Sequence, residues 1–296
     1  MSGGSQTVRD SNLVAIAHGR QKLGLHPAFG GSIAFWQSGD DHILRPTSPE
    51  ALANGEILNA ASFPLVPFSN RIAGSRFRWL DKEIALPVNH PVTNHSLHGI
   101  GFQSAWDVIT AEGNRVSLQL THKQDHRWPW SFHSEQTFLL DDSGFHWAIS
   151  LRNDSDEAMP AGLGFHPYFA GQDARLQFDA ERVWTSGSDR IPIAAEPNIG
   201  ENAFNTAKSI AGHDIDHCYD GWDGVASIDW PDSGRRLMLS SSARNVVLFI
   251  PPGGDSFCFE PVNHVSNAVN IASDDVIMPV LAPGETSQLT VAMAIA

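Results

Sequence analysis

The sequence predicts an all-β protein, folded as one large antiparallel β domain over residues 1–296. Three observations carry that expectation. Apolar residues recur with period two in short runs, turn-forming residues separate the runs, and neither a long amphipathic helix nor a βαβ alternation is visible. The 25 Gly and 18 Pro of the 296 residues favour many turns over long helices.

Each element can be justified in chain order. Ser48-Pro49-Glu50-Ala51-Leu52-Ala53 has a capping residue followed by Pro at the first helical position, which fits one short helix. Val116, Leu118 and Leu120 alternate as on a strand with one buried face. Large apolar residues take every second position in Phe145-His146-Trp147-Ala148-Ile149-Ser150-Leu151-Arg152, and again at Leu289, Val291, Met293 and Ile295. Val246-Val247-Leu248-Phe249-Ile250 is apolar throughout and predicts a strand buried on both faces, stopped by Pro251-Pro252-Gly253-Gly254. Turn signals stand at Glu112-Gly113-Asn114, Asp141-Asp142-Ser143-Gly144 and Pro231-Asp232-Ser233-Gly234. The first and third separate strand-like runs, as hairpin loops do.

Composition narrows the function. The formal charge of −14 repels phosphate backbones and anionic lipid, which argues against nucleic-acid and membrane-surface partners and favours a neutral ligand such as a sugar. Nine Trp beside only two Tyr suggest indoles available for stacking on sugar rings, against the plainer reading that they fill the core. Cys218 and Cys258 lack Cys-x-x-Cys spacing and read as buried thiols of a reducing compartment. Met1 to Gly19 has no basic region followed by a sustained apolar run, and no stretch is long enough to span a bilayer, so the expectation is cytoplasmic. The expected state is a monomer or weak homodimer.

Most catalytic motifs are missing. There is no Gly-x-Ser-x-Gly elbow, phosphate-binding loop or dinucleotide fingerprint. His213 and His217 have the spacing of two ligands on a helix, but their segment lacks a helical apolar pattern, and Asp stands where the zinc hydrolase motif needs Glu. His95 and His98 have no neighbouring carboxylate to complete a set. A metal is not expected, and covalent hydrolase and nucleotide chemistry have no motif to stand on, which leaves non-covalent acid/base catalysis or plain binding. Four segments place polar side chains among large apolar ones, where burial without a partner is costly. They are Pro67-Phe68-Ser69-Asn70-Arg71-Ile72, Ser96-Leu97-His98-Gly99, Gly162-Leu163-Gly164-Phe165-His166-Pro167-Tyr168-Phe169 and Phe257-Cys258-Phe259-Glu260-Pro261.

Taken in order, these segments resemble the aldose 1-epimerase (galactose mutarotase) family. The matching features are Asn70-Arg71-Ile72 with Gly74 and Phe77, Leu97-His98-Gly99 with Trp106, and Gly164-Phe165-His166-Pro167-Tyr168-Phe169. Asp216-His217-Cys218-Tyr219 and Glu260-Pro261 with Asn267-Ala268 and Asn270 complete the set. The resemblance implies a large antiparallel β-sandwich, the mutarotase-like supersandwich, with an open cleft on one concave sheet. It also implies interconversion of the α- and β-anomers of a free aldose without metal or organic cofactor. By position, His166 would be the general acid and Glu260 the general base, with Asn70, Arg71, His98 and Asp216 binding substrate. A carboxylate and an imidazolium suit a reaction that takes a proton from the C1 hydroxyl and gives one to the ring oxygen. His98 would either bond near the ring oxygen or act as a second imidazole.

Two departures bear on substrate. The His-Gly element continues as Ile100-Gly101-Phe102-Gln103-Ser104 where many members carry a Gly-rich run and a Phe-Asp pair, and Glu260-Pro261 is followed by Val262-Asn263-His264 where many have Thr-Gly. Both put galactose in question as the preferred sugar. A hexose-6-phosphate mutarotase is one competing reading. Pro167 stands where that family tends to have Thr, and Arg76 and Arg78 alternate with Phe77 and Trp79 as a solvated strand face would. A non-catalytic sugar-binding protein on the same scaffold is another, although both catalytic positions are filled.

Overall fold

The alternating runs become strands at the expected places. A computed structural model describes residues 13–296 apart from Val92, Gln172, Gly254, Asp274 and Asp275. The first twelve residues of the Met1–Gly19 segment, and Gly254 of the Pro251–Gly254 stop, lie outside the described residues. Strand Gly144–Asn153 buries Phe145, Trp147, Ile149 and Leu151. Thr286–Ile295 buries Leu289, Val291 and Met293 and pairs with it, Ile149 opposite Leu289. One face of each strand is thereby committed to the core, which fixes the register. All three turn signals close hairpins, including Asp141–Gly144. The one α-helix among the described residues, Pro49–Asn54, starts where Ser48 Oγ accepts the Ala51 N–H and stops at Gly55, φ 70°.

These hairpins build a nine-stranded antiparallel sheet. Its order is Asp107–Glu112, Arg115–His122, Phe132–Asp141, Gly144–Asn153, Thr286–Ile295, Arg235–Ser241, Val225–Trp230, Arg175–Phe178 and Lys208–Ser209. An eight-stranded sheet faces it, ordered Pro192–Pro197, Arg182–Ser186, Ile215–Asp220, Asn245–Ile250, Ser256–Val262, Gly164–Phe165 and Pro64–Leu65, with Tyr168–Ala170 also paired to Ser256–Val262. Aromatic side chains join the two layers: the Trp147 and Phe165 rings lie 4.2 Å apart, and Phe178 and Phe259 5.0 Å. A four-stranded sheet begins at Val14–His18 and joins through Trp36, 5.1 Å from Phe145. The result is a large antiparallel β-sandwich. Each such aromatic, fully buried, contributes roughly 1.5–3 kcal/mol of hydrophobic stabilisation.

Eight of the nine Trp are buried, and Trp79 packs half-buried against the same core. The plainer reading of the indoles therefore holds. Both cysteines are buried free thiols. His217 lies on strand Ile215–Asp220 and His213 in the turn before it, so the pair shares no helix face. No helix among the described residues is long and apolar enough to cross a membrane.

Strand Ser256–Val262 shows how the sandwich places chemistry. It is buried throughout, yet its two faces differ. Phe259 packs toward the opposite sheet against Phe178 and Trp222. Cys258 and Glu260 therefore point to the other face. Cys258 pairs with Tyr168 on one side and Phe249 on the other, and Phe249 with Asp216. Directly paired residues share a face, so Asp216, Phe249, Cys258 and Tyr168 form one row across the sheet, with Glu260 in the next.

Candidate active site

A cavity of about 530 Å³ opens over this face and brings together all six residues singled out in the sequence: Asn70, Arg71, His98, His166, Asp216 and Glu260. None of the nine Trp lines it. Glu260 comes from the central strand, and Asp216 from Ile215–Asp220 two places along. His166 follows strand Gly164–Phe165, where its backbone N–H bonds to the Phe63 carbonyl. Because Phe165 is turned into the core against Trp147, alternation turns His166 outward.

His166 and Glu260 meet directly, Nε2 to Oε1 at 3.3 Å, with side chains only 6% and 2% exposed. The imidazole stacks on Phe63 at 4.4 Å and on Tyr168 at 4.9 Å. Burial raises the Glu260 carboxyl well above the ordinary carboxylate range; the charge of Asp216 adds to this and Arg71 opposes it. Burial pushes the His166 imidazole down to about 3, helped by Arg45 and Arg71. Both shifts disfavour net charge, so the pair holds one proton between its two members over the intervening pH range. Glu260 Oε2 and His166 Nδ1 are buried without a hydrogen-bond partner among the described residues.

The remaining residues are locked to one another. Arg71 Nη1 lies 3.3 Å from both Asp216 Oδ2 and Asn70 Oδ1, and Asn70 Oδ1 also accepts the Arg71 backbone N–H at 2.8 Å. His98 Nδ1 accepts the Asn70 N–H at 3.1 Å, and the His98 ring meets the His166 ring edge-on at 5.0 Å. Gly99, φ 72°, must be glycine, since a Cβ there would lie 2.2 Å from the Val66 carbonyl oxygen.

Both departures from the family pattern lie behind the site. Phe102 packs on Phe63 and His98. His264 is buried and outside the cavity lining; its Nε2 accepts the Ser69 N–H at 3.1 Å and its Nδ1–H meets the Val265 carbonyl at 2.8 Å. It braces the loop that carries Asn70 and Arg71. The case against galactose from these two segments therefore loses its direct basis, since neither Phe102 nor His264 lines the cavity.

Sequence reasoning gave no role to several lining residues. Tyr168 lies inside a quoted motif, and Phe249 in a strand expected to be buried on both faces, but one face of that strand borders the cavity. Thr93, Asn94, Ser188, Asp189 and Arg190 sit in loops without periodicity and left no signal.

Among the described residues, one group has the donors of a metal site: His166, Cys258 and Glu260, with ligand atoms within 4.8 Å of one another. Burial holds the Cys258 thiol protonated, its pKa well above the usual range, as it does Glu260. Arg45 and Arg71 place positive charge nearby. The arrangement favours a neutral hydroxylic ligand over a dication.

Comparison with known proteins agrees with the β-sandwich fold. The chain is 28% identical over 292 residues to the uncharacterised protein YphB of Escherichia coli K12, covering 93% of this chain and 96% of that one. It is 24% identical over 254 residues to the uncharacterised YihR of the same organism, covering 80% and 79%. Among solved structures, a provisionally assigned aldose 1-epimerase of E. coli K12 superposes with a TM-score of 0.88 at 25% identity, over 96% of this chain and 98% of that one. A galactose mutarotase-like protein of Clostridium acetobutylicum gives 0.86 at 20%, over 96% and 95%. The sequence model of the aldose 1-epimerase family matches residues 13–294, and the chain belongs to that family.

Proposed function

We propose that the protein is a mutarotase that interconverts the α- and β-anomers of a free aldose. The observation that carries this reading is the His166–Glu260 contact of 3.3 Å at the floor of a cavity lined by polar side chains able to hydrogen-bond hydroxyls. Ring opening moves the C1 hydroxyl proton to Glu260 and a proton from His166 to the ring oxygen, while the C1–ring oxygen bond breaks and the C1 carbonyl forms. Rotation about C1–C2 exposes the other carbonyl face, and the transfers run in reverse to close the ring. The neutral pair and the ion pair contain the same number of protons, so the two groups can exchange roles without net proton uptake. Arg71, Asp216, Asn70 and His98 orient the sugar hydroxyls, which supplies positioning rather than proton transfer.

A phosphorylated sugar is the poorer substrate on this reading. The two cations lining the cavity each face a carboxylate, Arg71 with Asp216 and Arg190 with Asp214. Arg76 is exposed, pairs with Glu83, and lines no part of the cavity. Polarimetry on freshly dissolved α-glucose, α-galactose, xylose and arabinose, and on glucose 6-phosphate, tests the proposal. Acceleration of at least one free aldose is expected; no acceleration of any sugar overturns the mutarotase reading, and a clear preference for the phosphate overturns the substrate class.

A further inference from the structure

The cavity continues beyond the groups that handle the anomeric centre. At its floor the His166 and Glu260 side chains are 6% and 2% exposed, whereas Asp189 and Arg190, which line the same cavity, are 61% and 39% exposed. This gradient separates a closed floor from an open rim. Two loops form the rim: Thr93–His95, preceding strand Ser96–Leu97, and the turn Gly187–Ile191 between strands Arg182–Ser186 and Pro192–Pro197. A pocket of roughly 300 Å³ already houses a small organic ligand. A pyranose has twelve heavy atoms, so at about 530 Å³ the cavity has room for more than one ring.

The rim is built rather than loose. In the Gly187–Ile191 turn, Gly187 N–H bonds to the Ile191 carbonyl and Arg190 N–H to the Gly187 carbonyl, both at 2.9 Å. Ile191 N–H engages Asp189 Oδ1 at 3.1 Å, so Asp189 Oδ2 is the atom presented across the mouth. Opposite it, His95 Nδ1 accepts the Gly74 N–H at 3.0 Å, which leaves the ring proton on Nε2. His95 Nε2 and Asp189 Oδ2 stand 3.9 Å apart, too far for a hydrogen bond and suited to a hydroxyl that accepts from one and donates to the other. The cavity aromatics Tyr168 and Phe249 belong to the floor row, so a ligand at the rim is gripped by hydrogen bonds rather than stacking.

Resting on the mutarotase reading, we propose that His95 and Asp189 form a second sugar subsite and that the preferred substrates are reducing disaccharides. The reducing ring then sits over His166 and Glu260, and the second ring lies between the rim loops. The linkage must leave the C1 hydroxyl of the reducing ring free.

The test compares kcat/KM for anomerisation of maltose, cellobiose, lactose and melibiose with that of glucose and galactose. Calorimetric titration of the same sugars into the catalytically disabled Glu260→Gln protein accompanies it. At least one disaccharide should exceed both monosaccharides by about tenfold in kcat/KM and in affinity. Asp189→Asn and His95→Gln should each pull that ratio toward one. Monosaccharides equal to or better than every disaccharide in both measurements overturn the proposal, as does a disaccharide preference that survives both substitutions. A protein that anomerises no sugar refutes the mutarotase reading, and with it the assignment of these disaccharides as substrates; the titration then still decides whether the rim binds a second ring.

Discussion

Asn70 and His98 clasp one another at the edge of the His166–Glu260 pair. The Asn70 N–H donates to His98 Nδ1 at 3.1 Å, and the His98 N–H returns to the Asn70 carbonyl at 2.8 Å. Both residues sit in the left-handed region at φ 56°, a strained conformation for side-chain-bearing residues that Asn tolerates better than most. Because Nδ1 accepts, the ring proton is on Nε2. Burial, with His166 and Arg71 nearby, lowers the His98 pKa well below its ordinary value and keeps the ring neutral. This favours His98 as a fixed hydrogen-bond donor over a second imidazole base.

Two substitutions at Asn70 separate backbone from side chain. Asn70→Gly keeps the left-handed backbone without strain, whereas Asn70→Ala adds a Cβ in that conformation, so the alanine variant should be less stable by about 1 kcal/mol in urea denaturation. Both lose the oxygen that fixes the Arg71 guanidinium, so both should raise KM several-fold, about 1 kcal/mol of substrate positioning.

Removing either member of the proposed catalytic pair, His166 or Glu260, should reduce kcat by roughly 10²–10⁴-fold. The variants are Glu260→Gln and His166→Asn, read by polarimetry alongside circular dichroism. Since the two groups work on one shared proton, the double variant should be little worse than the poorer single. Full multiplication of the two effects would show that they act independently and would remove the shared-proton mechanism.

The strands were legible in the sequence because each long one has a single buried face, as Phe145–Leu151 and Leu289–Met293 illustrate. The meeting of His166 and Glu260 was legible only through ordered motifs. No local period relates His166 to Glu260; a turn past one strand and the alternation of another bring them to 3.3 Å. Some polar residues were visible but could not be placed. His264 follows the Glu260-Pro261 element and reads as a neighbour of the sugar, yet its ring is spent on the Ser69 and Val265 backbone. Of the rim residues the sequence marked only His95, as half of an incomplete metal-ligand pair; the others gave no signal, because a turn such as Gly187–Ile191 is specified by its own backbone bonds and not by an apolar pattern.

Glu260 should limit stability at the pH where it works. Its folded pKa is raised above the unfolded value near 4.5, so the native state holds the proton more tightly than the unfolded chain. The stability this contributes is fully present below about 4.5 and is lost as pH rises through the raised value. Glu260→Gln keeps the shape without the titration, so its melting temperature should match that of the parent near pH 4.5 and exceed it increasingly toward pH 8. A constant offset across that range would show that folding does not raise the Glu260 pKa.

His264 should give the opposite slope. Burial lowers its pKa from 6.5 to about 4, so the unfolded chain binds the proton more readily and stability falls as pH drops between those values. The loss should reach about 3 kcal/mol by pH 4. His264→Gln keeps an acceptor within reach of the Ser69 N–H and removes the titration, so it should flatten this part of the stability profile. His166 and His98, also buried with lowered pKa values, keep the rest of the slope. His264→Ala should instead destabilise at every pH by about 2–4 kcal/mol, because it leaves the buried Ser69 N–H unpaired and opens a cavity beneath the loop. Since that loop carries Asn70 and Arg71, KM should rise in the alanine variant and return toward the parent value in the glutamine variant. Equal KM values in both would show that His264 supports the fold without positioning the site.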